Sequence, residues 1–191
     1  YYNNKDGKFK NSINSAVKHI SNFSMGVDIA DYDNDGLLDI IVLDMVAESH
    51  DRIKTYMGGM DPSFFWETVN KGRHYQYMFN TLQRNNGNGT FAELAHLAGV
   101  SNTDWSWSPL LADLDNDGFK DLFVTNGVKR NMRHGDLMKQ QSAILDSIEI
   151  ISNRENKPLK EYIDLMHFVE MAPIDTLPNY VFKNNGDLTF T

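Results

Sequence analysis

Asp31-Tyr-Asp33-Asn-Asp35-Gly36-Leu-Leu-Asp39 is the most informative run in the chain, and Asp113-Leu-Asp115-Asn-Asp117-Gly118-Phe-Lys-Asp121 repeats its pattern. These nine-residue runs, the first and second acidic loops, each place carboxylates at positions 1, 3, 5 and 9. Ca²⁺ prefers hard oxygen ligands, and this spacing provides them together with a backbone carbonyl at position 7. The sequence therefore predicts two calcium-binding loops.

The charge balance also indicates a bound cation. The formal net charge of −8 equals the charge of the eight loop aspartates, so the remaining acidic residues balance the 18 basic ones. Like charges this close raise one another's pKa values and repel, unless a divalent ion compensates them. Gly36 and Gly118, at position 6, supply the backbone conformation that turns each loop around an ion.

Two alternatives apply to loops of this kind. An EF-hand requires a bidentate Glu at position 12, where this chain has Val42 and Val124, so that class is excluded. A metal-free Asn/Asp-Gly hairpin turn remains open, because this dipeptide between apolar strands is a turn signal by itself. Turn chemistry explains one Asp-Gly in each loop, but not four spaced carboxylates that occur twice.

The residues on both sides of each loop predict β-strands. Residues 39–44 and 121–126 are short runs rich in β-branched and aromatic side chains. Residues 26–30 and 109–112 precede the loops and supply the partner strands. Each acidic loop is therefore predicted to be the turn of a β-hairpin.

An Asn-rich turn occurs three times, at residues 3–9, 85–91 and 184–190. The distances Phe9 to Asp31 and Phe91 to Asp113 are both 22 residues, so turn and loop recur together with a period of 82. Each unit is predicted to be a four-stranded antiparallel blade, with a long insertion between its second and third strands. Blades of this kind arranged radially form a β-propeller.

These residues resemble the FG-GAP, or VCBS, repeats of integrin-α-like β-propellers. The Asn-rich hairpin ending in Gly-x-Phe, followed by Ala-Asp-x-Asp-Asn-Asp-Gly-x-x-Asp, is most similar to the cartilage acidic protein branch with its ASPIC/UnbV region. The third turn departs from the pattern, because Leu188 stands where the other two have glycine. The resemblance implies two Ca²⁺ sites, whose ligands are the side chains of Asp31, Asp33, Asp35 and Asp39 with the carbonyl of Leu37, and those of Asp113, Asp115, Asp117 and Asp121 with the carbonyl of Phe119.

We expect residues 1–191 to be a mostly β section of one propeller domain, with about two blades and a hairpin. Because propellers close with about four to eight blades, we expect the chain to be part of a longer protein. The expected parts are the end of a preceding blade at 1–17, a blade with the first calcium loop at 24–97 that includes a helical insertion at 45–76, and a blade with the second calcium loop at 106–191 that includes a helical insertion at 128–178.

Three helices are predicted inside the insertions. Asp61 and Pro62 form a start signal in the first insertion, with Gly72 as the stop. In the second insertion, Asp136 is predicted to cap a helix that runs to about Ile151. Pro158 is predicted to open another helix, which runs to about Met171.

Two tryptophans invite a carbohydrate-binding hypothesis. Trp105 and Trp107 alternate onto one side of the strand before the second acidic loop. Trp is large and mostly buried whatever its function, so packing between blades is the favoured interpretation. Stacking on a glycan remains the alternative.

Catalytic motifs are scarce. The six histidines form no H-E-x-x-H motif, and no G-x-S-x-G serine elbow is present, so no catalytic residue is assigned. The acidic pI of about 5.1 disfavours nucleic acid as a partner. We therefore expect a calcium-binding propeller module for binding or scaffolding. Its expected partners are the rest of its own propeller and, through the insertions, another protein or a glycan. The alternative is the propeller part of a polysaccharide-degrading enzyme.

Calcium and cysteine usage together indicate a compartment. Loops of this kind saturate where Ca²⁺ is abundant, outside cells. The chain contains no cysteine, so disulfides do not stabilise it. Calcium loops together with the absence of cysteine predict an exported bacterial protein. We expect it at the cell surface, associated with the outer membrane, or extracellular. No apolar run of membrane length is present, so a transmembrane segment is not expected.

Overall fold

The computed structural model describes residues 1–56, 61–131 and 134–191. Its strands are β1 Tyr2–Asn3, β2 Phe9–Lys10, β3 Ile20–Ser21, β4 Gly26–Ala30, β5 Asp39–Leu43, β6 Met45–Val46, β7 Gln76–Tyr77, β8 Thr81–Asn85, β9 Phe91–Glu93, β10 Asp104–Ala112, β11 Asp121–Asn126 and β12 Tyr180–Phe182. Its α-helices are α1 Ile13–Ala16, α2 His50–Tyr56, α3 Pro62–Asn70, α4 Ala95–Ala98, α5 Gly135–Glu155 and α6 Leu165–Met171, and Leu159–Glu161 is a 3-10 helix. By number of elements the fold is mostly β, with antiparallel sheets and some helices.

The chain divides into two compact units. Unit 1 comprises residues 1–48, 59–127 and 177–191, and unit 2 comprises residues 49–58 and 128–176. All twelve strands of the described residues lie in unit 1, whereas unit 2 is helical. None of the helices in the described ranges is long and apolar enough to cross a membrane.

Two four-stranded antiparallel sheets organise unit 1. The first has the strand order β4-β5-β8-β9 and the second has the order β12-β11-β10-β6. The predicted hairpins are confirmed, because Ala30 pairs with Asp39 and Ala112 pairs with Asp121. Both acidic loops are therefore hairpin turns that join the first two strands of a repeat.

The core of unit 1 lies between the two sheets. Alternate residues of a strand share one face, and one face of each sheet contributes its apolar side chains to this core. The carboxylate of Asp28 reinforces this packing by accepting the backbone N–H of Leu111 at 2.7 Å. Complete burial of a Leu or Ile side chain stabilises a fold by roughly 1.5–3 kcal/mol. The buried residues that meet in the core include Ile41, Leu43 and Leu82 from the first sheet and Leu111, Leu122 and Val124 from the second.

The second sheet differs from the predicted blade in two ways. Strand β10 begins at Asp104, not at Pro109, so the predicted strand was too short. Its first residues pair with β6, since Asp104 lies opposite Val46. Strand β6 falls in the predicted insertion 45–76, and period-2 patterning gives no signal for so short a strand.

Trp107 lies at an irregularity of β10 that the predicted alternation did not include, and its packing between blades stays a prediction. The register between β10 and β11 shifts between Ser106 and Ser108, which marks a β-bulge. A bulge breaks the strict alternation of side chains on which the prediction depended. Trp107 is 48% exposed, and its indole N–H donates to the carbonyl of Gly127 at 2.5 Å.

The three Asn-rich turns share one backbone geometry. Each is closed by a backbone N–H donated at 3.0 Å from the second asparagine to the carbonyl four residues on, starting at Asn4, Asn86 and Asn185. Leu188 adopts a φ of 74°, beside 81° for Gly7 and 82° for Gly89 at the equivalent positions. The third turn therefore keeps the glycine conformation despite its leucine, at a local steric penalty.

The helices confirm one predicted start and correct two others. Asp61 caps α3 as predicted, because its side chain accepts the N–H groups of Ser63 and Phe64. Helix α5 begins at Gly135 after His134, so Asp136 lies in the first turn and is not the cap. The helix also continues to Glu155, four residues beyond the predicted end.

The helix predicted to begin at Pro158 is wrong in its first part. That segment forms only the short 3-10 helix Leu159–Glu161. Helix α6 then starts after Asp164, whose carboxylate accepts the N–H groups of Met166 at 2.9 Å and His167 at 3.2 Å. The predicted end at Met171 is confirmed. An Asp in front of an apolar run was the available start signal.

His19 gives unit 1 a pH-dependent contribution to stability. Its ring lies edge-on to Tyr77 and Phe79, at 5.2 Å between centroids in both cases. Its Nε2 is buried without a hydrogen-bond partner among the described residues, and the Glu93 carboxylate lies 3.9 Å away. Burial lowers the pKa of His19, and Glu93 offsets this only in part.

The His19→Gln variant is expected to lose less stability on acidification than the wild type. Because the folded chain binds the His19 proton less readily than the unfolded chain, stability falls as the pH drops through the unfolded pKa of about 6.5. The loss in Tm between pH 7.5 and pH 5.5, measured in calcium-free buffer, should be smaller in the variant. The exposed His167→Gln should behave as wild type, and equal losses in all three proteins would contradict the assignment.

Candidate metal centres

The two acidic loops have the same backbone conformation. Asn34 and Gly36 have φ values of 59° and 85°, and Asn116 and Gly118 have values of 63° and 92°. All four residues lie in the left-handed region, which Gly and Asn reach more easily than other residues. The identical Asn-Asp-Gly sequence therefore folds the same way twice.

The carboxylates at positions 1 and 5 organise each loop through its backbone N–H groups. The side chain of Asp31 accepts the N–H of Asp35 at 3.1 Å and that of Gly36 at 2.9 Å. Asp35 accepts the N–H of Leu37 at 2.9 Å. Asp113 and Asp117 make the equivalent bonds in the second acidic loop, at 3.1, 3.0 and 2.9 Å.

The aspartates at position 9 are buried and connect each loop to the following Asn-rich turn. Asp39 accepts the N–H of Tyr32 at 3.2 Å and that of Asn85 at 2.8 Å. Asp121 accepts the N–H of Leu114 at 3.1 Å and that of Asn184 at 2.9 Å. Burial raises the pKa of Asp39, and the two backbone hydrogen bonds oppose this shift.

Carboxylate oxygens converge in both loops. Among the described residues, two groups of three aspartates each place one carboxylate oxygen per residue within 4.8 Å of the oxygens of the other two. These two acidic clusters could hold a metal ion; they are Asp31 with Asp33 and Asp39, and Asp113 with Asp115 and Asp117. The structure thus brings together six of the eight predicted side-chain ligands. The full ligand set, including Asp35, Asp121 and the carbonyls of Leu37 and Phe119, stays a prediction.

The two loops also contact each other within unit 1. The side-chain amide of Asn34 donates to the carbonyl of Gly118 at 3.0 Å. The amide of Asn184 donates to the carbonyl of Tyr32 at 2.8 Å and to that of Lys120 at 2.9 Å. The loops therefore lie side by side at one end of the sheets. The amides of Asn34 and Asn184 join them to carbonyls that are 84 and 152 residues away in sequence.

A family model described as FG-GAP-like repeat matches residues 1–42 and 60–124, which is more than half of the chain. The chain belongs to the FG-GAP-like repeat family. The matched residues include both acidic loops and the first two Asn-rich turns. The particular similarity to the cartilage acidic protein branch stays a prediction. Neither a curated protein nor a solved structure matches the chain.

The donor set of this FG-GAP-like chain fits a hard divalent cation. Every side chain that converges in the two clusters offers carboxylate oxygens, and neither His nor Cys belongs to them. Soft or borderline metals favour nitrogen and sulfur ligands, whereas Ca²⁺ favours oxygen. The residues present therefore fit Ca²⁺ better than zinc or copper.

Two basic side chains that the sequence did not single out complete the FG-GAP-like loops. Arg84, on β8, donates to Asp33 at 2.5 Å and to Asp35 at 2.8 Å. Lys183, just after β12, contacts Asp115 and Asp117. The Asp33 hydrogen bond raises the pKa of Arg84, and the Asp115 and Asp117 hydrogen bonds raise that of Lys183. Their equivalent positions, directly before the Asn-Asn pair of a turn, were the available signal.

Tyr32 anchors the first acidic loop in the core. Its side chain is fully buried and stacks on Phe190, with ring centroids 5.9 Å apart. Burial raises the pKa of Tyr32, and the neighbouring carboxylates raise it further. The equivalent residue of the second loop is Leu114, which is exposed. The two FG-GAP-like loops thus differ in how firmly position 2 holds them.

Proposed function

We propose that this chain is a calcium-binding section of a β-propeller, in which the two acidic loops hold one Ca²⁺ each. The observation that carries this proposal is the repeated geometry of the loops, which orient oxygen donors through the same backbone hydrogen bonds. The side chains at positions 1, 3, 5 and 9 and the carbonyl at position 7 would hold the ion. Bound Ca²⁺ supplies positive charge that offsets the repulsion between these carboxylates.

Calcium is expected to stabilise the chain and to bind at two sites. When free Ca²⁺ exceeds the dissociation constant a hundredfold, each site adds about 2.7 kcal/mol to the free energy of unfolding. Titration calorimetry with CaCl₂ should find two sites in the wild type. It should find one in Asp31→Asn or in Asp113→Asn, and none in the double variant. These two substitutions remove one carboxylate each from position 1.

The control for this titration is Glu67→Gln, which removes a negative charge from the exposed pair between Glu67 of α3 and Lys71 just after the helix. This variant should keep both sites and the same gain in Tm on addition of calcium. A wild-type Tm that is unchanged by calcium and by chelator would reject the proposed function.

The outer faces of the two sheets support a larger propeller. Val27 and Ile29 of β4 are exposed, whereas Pro109 and Leu111, one period of 82 residues later, are buried. On the other side, Val181 of β12 is 62% exposed, whereas its counterpart Leu82 of β8 is fully buried. Apolar side chains exposed together on the face of a sheet are typical of contact surfaces. We propose that these faces pack against further blades of the same propeller.

The insertions are the proposed site of contact with another protein or a glycan. In unit 2, Ile150, Leu165 and Ile174 are large apolar residues that are exposed to solvent. Long ordered insertions in loops are where binding residues concentrate. The proposed location is outside the cell, at a bacterial surface or associated with the outer membrane, where calcium is abundant enough for loops of this type.

A further inference from the structure

Each acidic loop is contacted by one basic side chain, Arg84 on β8 or Lys183 directly after β12. Arg84 donates from Nε to Oδ2 of Asp33 at 2.5 Å and from Nη2 to Oδ2 of Asp35 at 2.8 Å. Lys183 places Nζ at 3.2 Å from Oδ2 of Asp117 and also contacts Oδ2 of Asp115. Both cations therefore contact the carboxylates at positions 3 and 5.

The contacted carboxylates have no oxygen without a hydrogen-bond donor. Oδ1 of Asp33 accepts the N–H of Asp35 at 3.3 Å, and Oδ1 of Asp35 accepts the N–H of Leu37 at 2.9 Å. The Oδ2 atoms of both carboxylates are taken by Arg84. In the second loop, Oδ1 of Asp115 and Oδ1 of Asp117 accept backbone N–H groups at 3.2 and 2.9 Å, and Lys183 contacts the Oδ2 atoms.

A divalent ion that binds these carboxylates must share or displace existing donors. The backbone N–H groups are fixed by the turn. The guanidinium of Arg84 and the ammonium of Lys183 are at the ends of flexible side chains, which can move away. A positive side chain next to the ion also repels it, because like charges at this distance interact unfavourably. The basic side chain and the metal ion therefore oppose each other.

We propose that Arg84 and Lys183 are built-in counter-ions that stabilise the metal-free loops and lower their affinity for Ca²⁺. This inference rests on the proposed calcium binding. The effect of Arg84 is the larger one, because it forms a two-pronged contact and its side chain is 30% exposed, against 56% for Lys183. The chain can then keep its loops folded when calcium is scarce, and exchange a side-chain charge for the ion when calcium is abundant.

The test compares Arg84→Gln and Lys183→Gln with the wild type, by titration calorimetry with CaCl₂ and by Tm in chelator. Arg84→Gln is expected to lower the Tm in chelator and to raise the Ca²⁺ affinity of one of the two sites by about three- to fivefold. Lys183→Gln should raise the affinity of the other site by about twofold. Arg84→Lys, which keeps the charge but not the fork, should lie between wild type and Arg84→Gln.

The matched control is Lys71→Gln, which removes a cation from an exposed pair with Glu67 and should leave both affinities unchanged. Weaker or unchanged calcium binding by Arg84→Gln, with normal binding by the wild type, would overturn the counter-ion role and leave the proposed function intact. A wild-type chain that binds no calcium would reject both. If Arg84→Gln does not fold in chelator, Lys183→Gln gives the same comparison at the second loop.

Discussion

Replacing Asp39 with alanine is expected to lower the free energy of unfolding by about 3 kcal/mol in calcium-free buffer. Its carboxylate is buried, and it accepts the N–H groups of Tyr32 and Asn85 at 3.2 and 2.8 Å. Each buried donor that loses its partner costs about 1–3 kcal/mol. The substitution also removes one predicted ligand of the first proposed calcium site. Urea denaturation in chelator measures the first effect, and calcium titration measures the second.

Three related variants test the reason for this loss. Asp121→Ala should produce a similar loss, because Asp121 accepts the N–H groups of Leu114 and Asn184. Asp39→Asn retains one acceptor oxygen and should lie between wild type and alanine. Glu67→Gln, on the exposed face of α3, should stay within about 0.5 kcal/mol of wild type. A change of that small size in Asp39→Ala would show that the loop does not depend on this carboxylate.

Gly26→Ala is the second substitution with a large expected effect, a loss of about 3 kcal/mol. A Cβ atom at Gly26 would lie 2.3 Å from the carbonyl oxygen of Trp107, 2.8 Å from Cδ of Pro109 and 2.9 Å from Cα of Ser108. These atoms belong to the backbone or to a rigid proline ring, so they cannot move aside alone. Strands β4 and β10 would have to separate, which disrupts the core between the two sheets.

The matched control for Gly26 is Gly127→Ala, where an added Cβ meets no atom within 4 Å. It should change the free energy of unfolding by less than about 0.5 kcal/mol in urea denaturation. Equal stability of the two alanine variants would contradict the close approach of β4 and β10.

Local sequence predicted the hairpins and the acidic loops because their geometry depends on neighbouring residues. Asn34 and Gly36 adopt left-handed conformations that their own side chains permit, and the period of 82 residues repeats them. The same locality explains the correct start of α3, where the carboxylate of Asp61 caps its own helix.

Contacts between distant residues could not be predicted in the same way. Arg84 meets Asp33 across 51 residues, and Lys183 meets Asp115 across 68. Their equivalent positions before an Asn-Asn pair mark them as a repeated feature, but nothing local indicates which carboxylates they contact. Strand β6 was not predicted for a related reason. Its pairing with β10 depends on how distant segments pack and not on its own two residues. The side on which Trp107 lies likewise depends on a bulge in the pairing of β10 with β11, which its own sequence does not indicate.

The position of the acidic loops leaves the other end of the sheets open to variation. Strand β5 runs from Asp39, at the loop, to Leu43, where the chain departs toward α2, and β8 returns to the loop end at Asn85. A five-residue strand spans about 16 Å, so residues added or lost beyond Leu43 are remote from the carboxylates. Insertions of different length and composition can therefore be accommodated at that end of the sheets without moving the two acidic clusters.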